Sequence, residues 1–168
     1  MRRFSFATLL SLLSALPLAG ADKPPKPCAG AEFRQFDFWV GKWDVTLPDG
    51  KKAGSNVITS VYGGCALHEE WSGASGVRGG SFSTYDGATG KWHQTWVDSG
   101  GTLLLMDGEF RDGKMQMEGR SRAKDSRVVD RVPWTPLSAR TVRQFWEQSK
   151  EGGATWQVVF DGLYTKRK

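Results

Sequence analysis

Tyr85-Asp86-Gly87-Ala88-Thr89-Gly90-Lys91-Trp92-His93-Gln94-Thr95-Trp96-Val97 joins a turn to an alternating run. Asp86, Gly87 and Gly90 supply the turn chemistry, a short side chain that bonds its own backbone and residues that accept positive φ. From Lys91 onward, Trp92, Gln94 and Trp96 share one phase of a two-residue period, the repeat of a β-strand. Thr141-Val142-Arg143-Gln144-Phe145-Trp146-Glu147 repeats the pattern. Further Asp-Gly or Gly-Gly pairs stand at 49–50, 63–64, 79–80, 100–101, 112–113 and 152–153 and read as turns and loops. Beyond residue 21 no sustained 3.6-residue apolar period occurs, apart from a short helical turn at 32–38.

This punctuation predicts an all-β fold of about ten strands, near 39–47, 53–61, 65–72, 80–86, 91–98, 101–110, 114–122, 127–135, 140–148 and 154–165. Hairpin-length links favour an up-and-down antiparallel barrel, lipocalin/calycin-like, over a Greek-key sandwich with its long crossover. Closure also removes exposed strand edges.

The first residues read as an address. Met1-Arg2-Arg3 is positive, Phe4 to Ala19 is almost wholly apolar, and Ala19-Gly20-Ala21 fits small-residue cleavage. The domain plan is therefore a signal peptide over 1–21, an N-terminal arm over 22–35 and a barrel over 36–168. Export places the mature chain in the periplasm or outside the cell, with no integral membrane segment once the leader is removed. Cys28 follows Lys26-Pro27 rather than a small apolar box, unlike a lipoprotein anchor. In an oxidising compartment Cys28 and Cys65 form a disulfide that pins the arm to the body, whereas a redox pair would want Cys-x-x-Cys spacing.

The chain has 23 Lys+Arg and 18 Asp+Glu, formally +5. Loss of Arg2 and Arg3 with the leader lowers this to +3, and no basic stripe interleaves with aromatics, so nucleic acid is not an expected partner. Lys166-Arg167-Lys168 reads as a solvated end. Two His and two Cys leave little for a metal site, and no cofactor is implied.

Taking the Trp-bearing phase of each strand as inward gives Trp43 and Val45, Trp71, Trp92 and Trp96, Met115 and Met117, Val132 and Trp134, Val142 and Trp146, then Trp156, Val158 and Phe160. Seven of the eight Trp fall in this set; Trp39 does not. The opposite phase is more polar, as at Arg143 and Glu147. Glu69, Gln94 and Gln144 share the inward phase. Such buried groups need partners, either an internal network with Trp indole N–H groups and water or a ligand that they orient. The candidate ligand-binding residues are Trp43, Glu69, Trp71, Trp92, Gln94, Trp96, Gln144 and Trp146, and the candidate partner is a small apolar or amphipathic molecule. If side chains fill the interior, the chain is instead a structural or interaction module. The oligomeric state is left open.

No catalytic constellation stands out. His68-Glu69-Glu70 is not His-Glu-x-x-His, since Ser72 replaces the second His. There is no Gly-x-Ser-x-Gly elbow, and the Gly-rich 73–80 stretch lacks the Lys-Ser/Thr of a phosphate loop. An enzyme would have to rely on His68, Glu70 or His93. Ser149-Lys150-Glu151-Gly152-Gly153-Ala154-Thr155-Trp156 resembles the Asp-box hairpin, with Glu151 in place of the Asp; that box is a folding device in many β proteins.

Phe36-Asp37-Phe38-Trp39-Val40-Gly41-Lys42-Trp43-Asp44-Val45 carries a Gly-x-Trp on the first strand. It resembles the opening signature of lipocalins and wider calycin barrels, in which the Trp closes one end and an Arg of a late strand packs on it. Arg143 is the candidate counterpart. With Gly64-Cys65, Trp92-His93-Gln94-x-Trp96-Val97-Asp98, Val142-Arg143-Gln144-x-Trp146 and Phe160-Asp161-Gly162-x-Tyr164, the chain over 28–168 is similar to a family of uncharacterised bacterial exported proteins. That resemblance implies a calycin-like barrel and export. The chain also resembles the haem-binding barrels related to nitrobindin, but they require a proximal His near the C-terminal strands and this chain has none after His93.

Overall fold

The computed structural model describes residues 26–120 and 127–168. The signal peptide assigned to 1–21 lies outside the described residues. Ten antiparallel strands follow two 3₁₀ turns, Ala31–Arg34 and Asp37–Trp39, which occupy the expected helical turn. The strands are β1 (Gly41–Thr46), β2 (Lys52–Val61), β3 (Ala66–Gly73), β4 (Arg78–Asp86), β5 (Lys91–Asp98), β6 (Leu103–Arg111), β7 (Lys114–Arg120), β8 (Val129–Ser138), β9 (Thr141–Ser149) and β10 (Gln157–Lys166). Each pairs with its sequence neighbours, and β1 pairs with β10 to close the barrel.

The turns follow from local chemistry. Asp86 accepts hydrogen bonds from the Ala88 N–H at 2.8 Å and from Thr89 Oγ1 at 2.9 Å. In the β9–β10 hairpin Ser149 Oγ accepts from the N–H groups of Glu151 and Gly153, at 3.2 and 2.8 Å, and Thr155 Oγ1 donates to Glu151 at 2.8 Å. Glu151 is thus tied within the turn to Thr155, another position of the Asp-box pattern. Gly79-Gly80, expected as a turn, instead lies within β4. A Cβ at Gly79 would fall 2.5 Å from the Trp96 ring, so the glycine is there for close approach to an indole rather than for bending.

The inward phase holds on most strands. On β10 it is broken by a bulge: Val158 faces Glu147 and Phe160 faces Trp146, with the register shifting between them. Two inward assignments therefore fail. Val158 is 58% exposed, and Trp156 lies before the strand with the Arg131 guanidinium 3.8 Å from its ring centroid. Trp39, outside the inward set, is fully buried.

Residues 28–39, the end of the expected arm and the start of the expected barrel range, plug one end of the barrel. Phe36 stacks on Trp39 at 5.0 Å and meets Trp92 and Trp134 edge-on, while Trp39 also meets Tyr164. The Cys28–Cys65 disulfide fastens this plug to the start of β3, and Arg34 donates to the Gly64 carbonyl beside it. Closing a loop of 37 residues removes about 3–4 kcal/mol of unfolded-state entropy.

The cation on the end-closing Trp is Lys166, not Arg143. Lys166 is the cross-strand partner of Trp43, with Nζ 5.4 Å from the ring centroid. Its stem passes over Gly41, where φ is +150° and a Cβ would fall 2.6 Å from Lys166 Cε. The glycine of Gly-x-Trp is required by that approach. Arg143 points outward to a two-bond pair with Asp161, each bond 2.8 Å.

A candidate ligand cavity

At the end opposite the plug the barrel holds a cavity of about 200 Å³. Its mouth is formed near the 73–78, 98–103 and 149–157 hairpins by Trp71, Val77, Trp96, Asp98, Leu104, Trp146, Val159 and Phe160. Deeper in stand Glu69, Gln94, Met106, Val132, Gln144 and Tyr164. Trp71, Trp96 and Trp146 are half-buried, as expected of rings bordering open space.

Six of the eight expected ligand residues line this cavity: Glu69, Trp71, Gln94, Trp96, Gln144 and Trp146. Trp43 and Trp92 do not; both are packed into the plugged end, the first donating from Nε1 to the Trp39 carbonyl at 2.9 Å and the second to Gln35 Oε1 at 3.2 Å. The barrel has two differently used ends, and a single inward phase cannot distinguish them.

Glu69 is 5% exposed. Asn56 Nδ2 donates to its Oε1 and Ser81 Oγ to its Oε2, both at 2.6 Å. Desolvation nevertheless pushes its pKa up to about 7, with the bonds from Ser81 and Asn56 pulling the other way. The chain of contacts continues from Asn56 Nδ2 to Tyr164 at 3.4 Å, and Tyr164 donates to Gln144 Oε1. Burial first, then the Glu69 charge, holds the Tyr164 hydroxyl well above its ordinary range, so it stays a donor. Gln94 Nε2 donates to Ser83 at 3.0 Å. The expectation that Trp indoles satisfy these polar groups fails. The Trp96 and Trp146 N–H groups go to Asp98 at 3.3 Å and Asp130 at 2.8 Å, while the N–H groups of Trp39 and Trp134 have no partner among the described residues.

Asp98 sits at the rim. Partial desolvation pushes its carboxyl up, but hydrogen bonds from Thr102, Trp96 and Gly100 outweigh it and hold the group below the usual carboxylate range. Sequence reasoning missed Asn56, Ser81, Ser83 and Tyr164. A signal existed for Tyr164, which continues the phase of Phe160 and Gly162, and for Asn56, in phase with Ile58 on β2.

The acid–base residues of an enzyme reading lie elsewhere. His68 stacks on Phe82 at 4.7 Å, Glu70 is exposed, and His93 bridges Asp107 at 2.8 Å and Thr95 at 3.0 Å. None lines the cavity. Among the described residues no group of three or more His, Cys, Asp or Glu is placed to hold a metal ion, and no helix is long and apolar enough to cross a membrane.

No protein-family profile matches the sequence, and no curated protein matches it significantly. The closed ten-strand antiparallel barrel with its buried aromatic cluster is consistent with a calycin-like fold.

Proposed function

We propose that this chain is an exported calycin-like binding protein that holds a small, largely apolar molecule in the cavity of its open end. The observation that carries this reading is the ring of half-buried indoles, Trp71, Trp96 and Trp146, around a floor of hydrogen-bonded polar groups. An apolar pocket with a few oriented polar groups is the usual form of a small-molecule site. At about 200 Å³ the space is below the roughly 300–1,000 Å³ of drug-sized sites. The ligand is therefore one or two rings in size, or the end of a longer molecule that protrudes. Export is supported by the Cys28–Cys65 disulfide and by the apolar leader before Ala21. Membership in the exported bacterial family belongs to the same proposal.

Native mass spectrometry of protein from its own compartment, with Trp fluorescence titrations against lipids, haem and small aromatics, tests it. A copurifying mass or a saturable change in Trp emission is expected. Failure of every probe, with only the bare chain mass, refutes it.

A second reading, a scaffold without ligand, is favoured by one observation. Glu69, Gln94 and Gln144 each already have a protein partner. The same titrations separate the two.

A further inference from the structure

The cavity has a sign opposite to that of the chain. The chain is formally +5, yet among the described residues the lining holds Glu69 and Asp98 and no Lys, Arg or His. Arg78, at the start of β4 by the mouth, is turned onto Ser72 and does not line the cavity. The aromatic rings add to the negative character. Trp71, Trp96, Trp146 and Phe160 surround the mouth, and the face of an aromatic ring attracts cations, above all where water is excluded. Beside Glu69, Asn56 commits its N–H groups to Glu69 and Tyr164, and its buried Oδ1 has no partner among the described residues.

The groups that contact Glu69 are neutral. Asn56 reaches it from β2 and Ser81 from β4, while the Tyr164 hydroxyl stands behind Asn56 from β10. Gln94 and Gln144 share the cavity from β5 and β9, and the one other lining carboxylate, Asp98, repels rather than compensates. Among the described residues an ionised Glu69 thus has no counter-charge in the cavity. A ligand anion would bring its charge beside two carboxylates with no base of the described lining to meet it. An ammonium would supply the missing positive charge while its apolar body lay between the indoles.

We propose that the cavity selects a small organic cation, an amine or quaternary ammonium on an apolar body of about one or two rings. This rests on the reading of the cavity as a ligand site. It assigns Glu69 as the counter-ion, Trp71, Trp96 and Trp146 as the cage and Asp98 as the rim charge.

Three probes of matched size test it: benzylammonium, benzyl alcohol and benzoate, titrated by calorimetry and Trp fluorescence at pH 8 and pH 5. At pH 8 benzylammonium is expected to bind at least tenfold more tightly than benzyl alcohol, with benzoate weakest. At pH 5, where Glu69 is protonated, that preference falls severalfold. Glu69→Gln removes most of the preference at pH 8 and retains benzyl alcohol binding. If the variant does not fold, the comparison of pH 8 with pH 5 on the native chain decides alone. Benzyl alcohol or benzoate binding as tightly as benzylammonium at pH 8 overturns the cation assignment and leaves the cavity standing as a ligand site. Failure of all three, together with the lipids, haem and aromatics above, overturns both.

Discussion

Asn56 Nδ2 lies 2.6 Å from Glu69 Oε1, an amide donating to a carboxylate in the interior of a closed barrel. β2 and β3 bring the two together: Asn56 is paired with Trp71 and Glu69 with Ile58, so the side chains are diagonal neighbours on the inner face. Two donors are not enough to offset the burial of the charge, and the pKa is pushed up to about 7.

Stability is therefore expected to fall as pH rises. Below the ordinary Glu value of 4.5 both folded and unfolded chains hold the proton; between there and about 7 only the folded chain does. Ionisation then favours the unfolded chain, with a total loss of about 3 kcal/mol from this group by pH 8. Urea unfolding of the native chain and Glu69→Gln from pH 4 to 8 measures it. The difference between the two should change across pH 4.5–7 and be flat above; a difference independent of pH contradicts the burial argument.

The disulfide is expected to contribute about 3–4 kcal/mol through its 37-residue loop. Cys28→Ser, Cys65→Ser and the reduced native chain should lose similar amounts in denaturant titrations. The plug packed on Trp92 and Trp134 should loosen first, read by faster hydrogen exchange over residues 28–39.

Trp43 and Lys166 should differ sharply in weight. Trp43→Ala empties a fully buried site and is expected to cost about 3–5 kcal/mol. Lys166→Met keeps the stem and removes a partly solvated cation–π contact worth about 0.5–1 kcal/mol. Gly41→Ala should cost more than Lys166→Met, because a Cβ at φ +150° strains the backbone as well as displacing the lysine. Thermal unfolding of the three variants gives the order.

Ser149→Ala leaves the Glu151 and Gly153 N–H groups without their acceptor. The expected loss is about 0.5–1.5 kcal/mol. Glu151→Asp should be nearly neutral, since it restores the acid of the Asp-box pattern. Chemical denaturation distinguishes the two.

Much of the fold was legible because its signals are local. The period of two in Lys91–Asp98 and Thr141–Ser149, and the Asp and Gly residues between runs, act within a few residues and marked all ten strands. The cysteine pair was legible from compartment chemistry. The bulge before Phe160 was not, because it inserts a residue without changing composition, and it moved Val158 and Trp156 to the outside. Trp39 shares the phase of Trp43 and Val45 in the expected strand 39–47 but stands outside the inward set; it lies in the 3₁₀ turn before β1 and is buried by packing on Phe36 and Trp134.

For the site, the sequence by itself placed Glu69, Trp71, Gln94, Trp96, Gln144 and Trp146 on one interior surface, since side-chain phase is a property of each strand alone. Only closure of β1 onto β10 and docking of residues 28–39 decided which interior residues became plug and which became cavity. Trp43 and Trp92 share that phase and differ only in which end of the barrel they occupy. The partners of the buried polar groups were likewise set by cross-strand register: Asn56, Ser81 and Tyr164 are 12 to 108 residues from the groups they bond. No local period encodes such distances. They are fixed when the barrel closes, and burial then raises the pKa of Glu69.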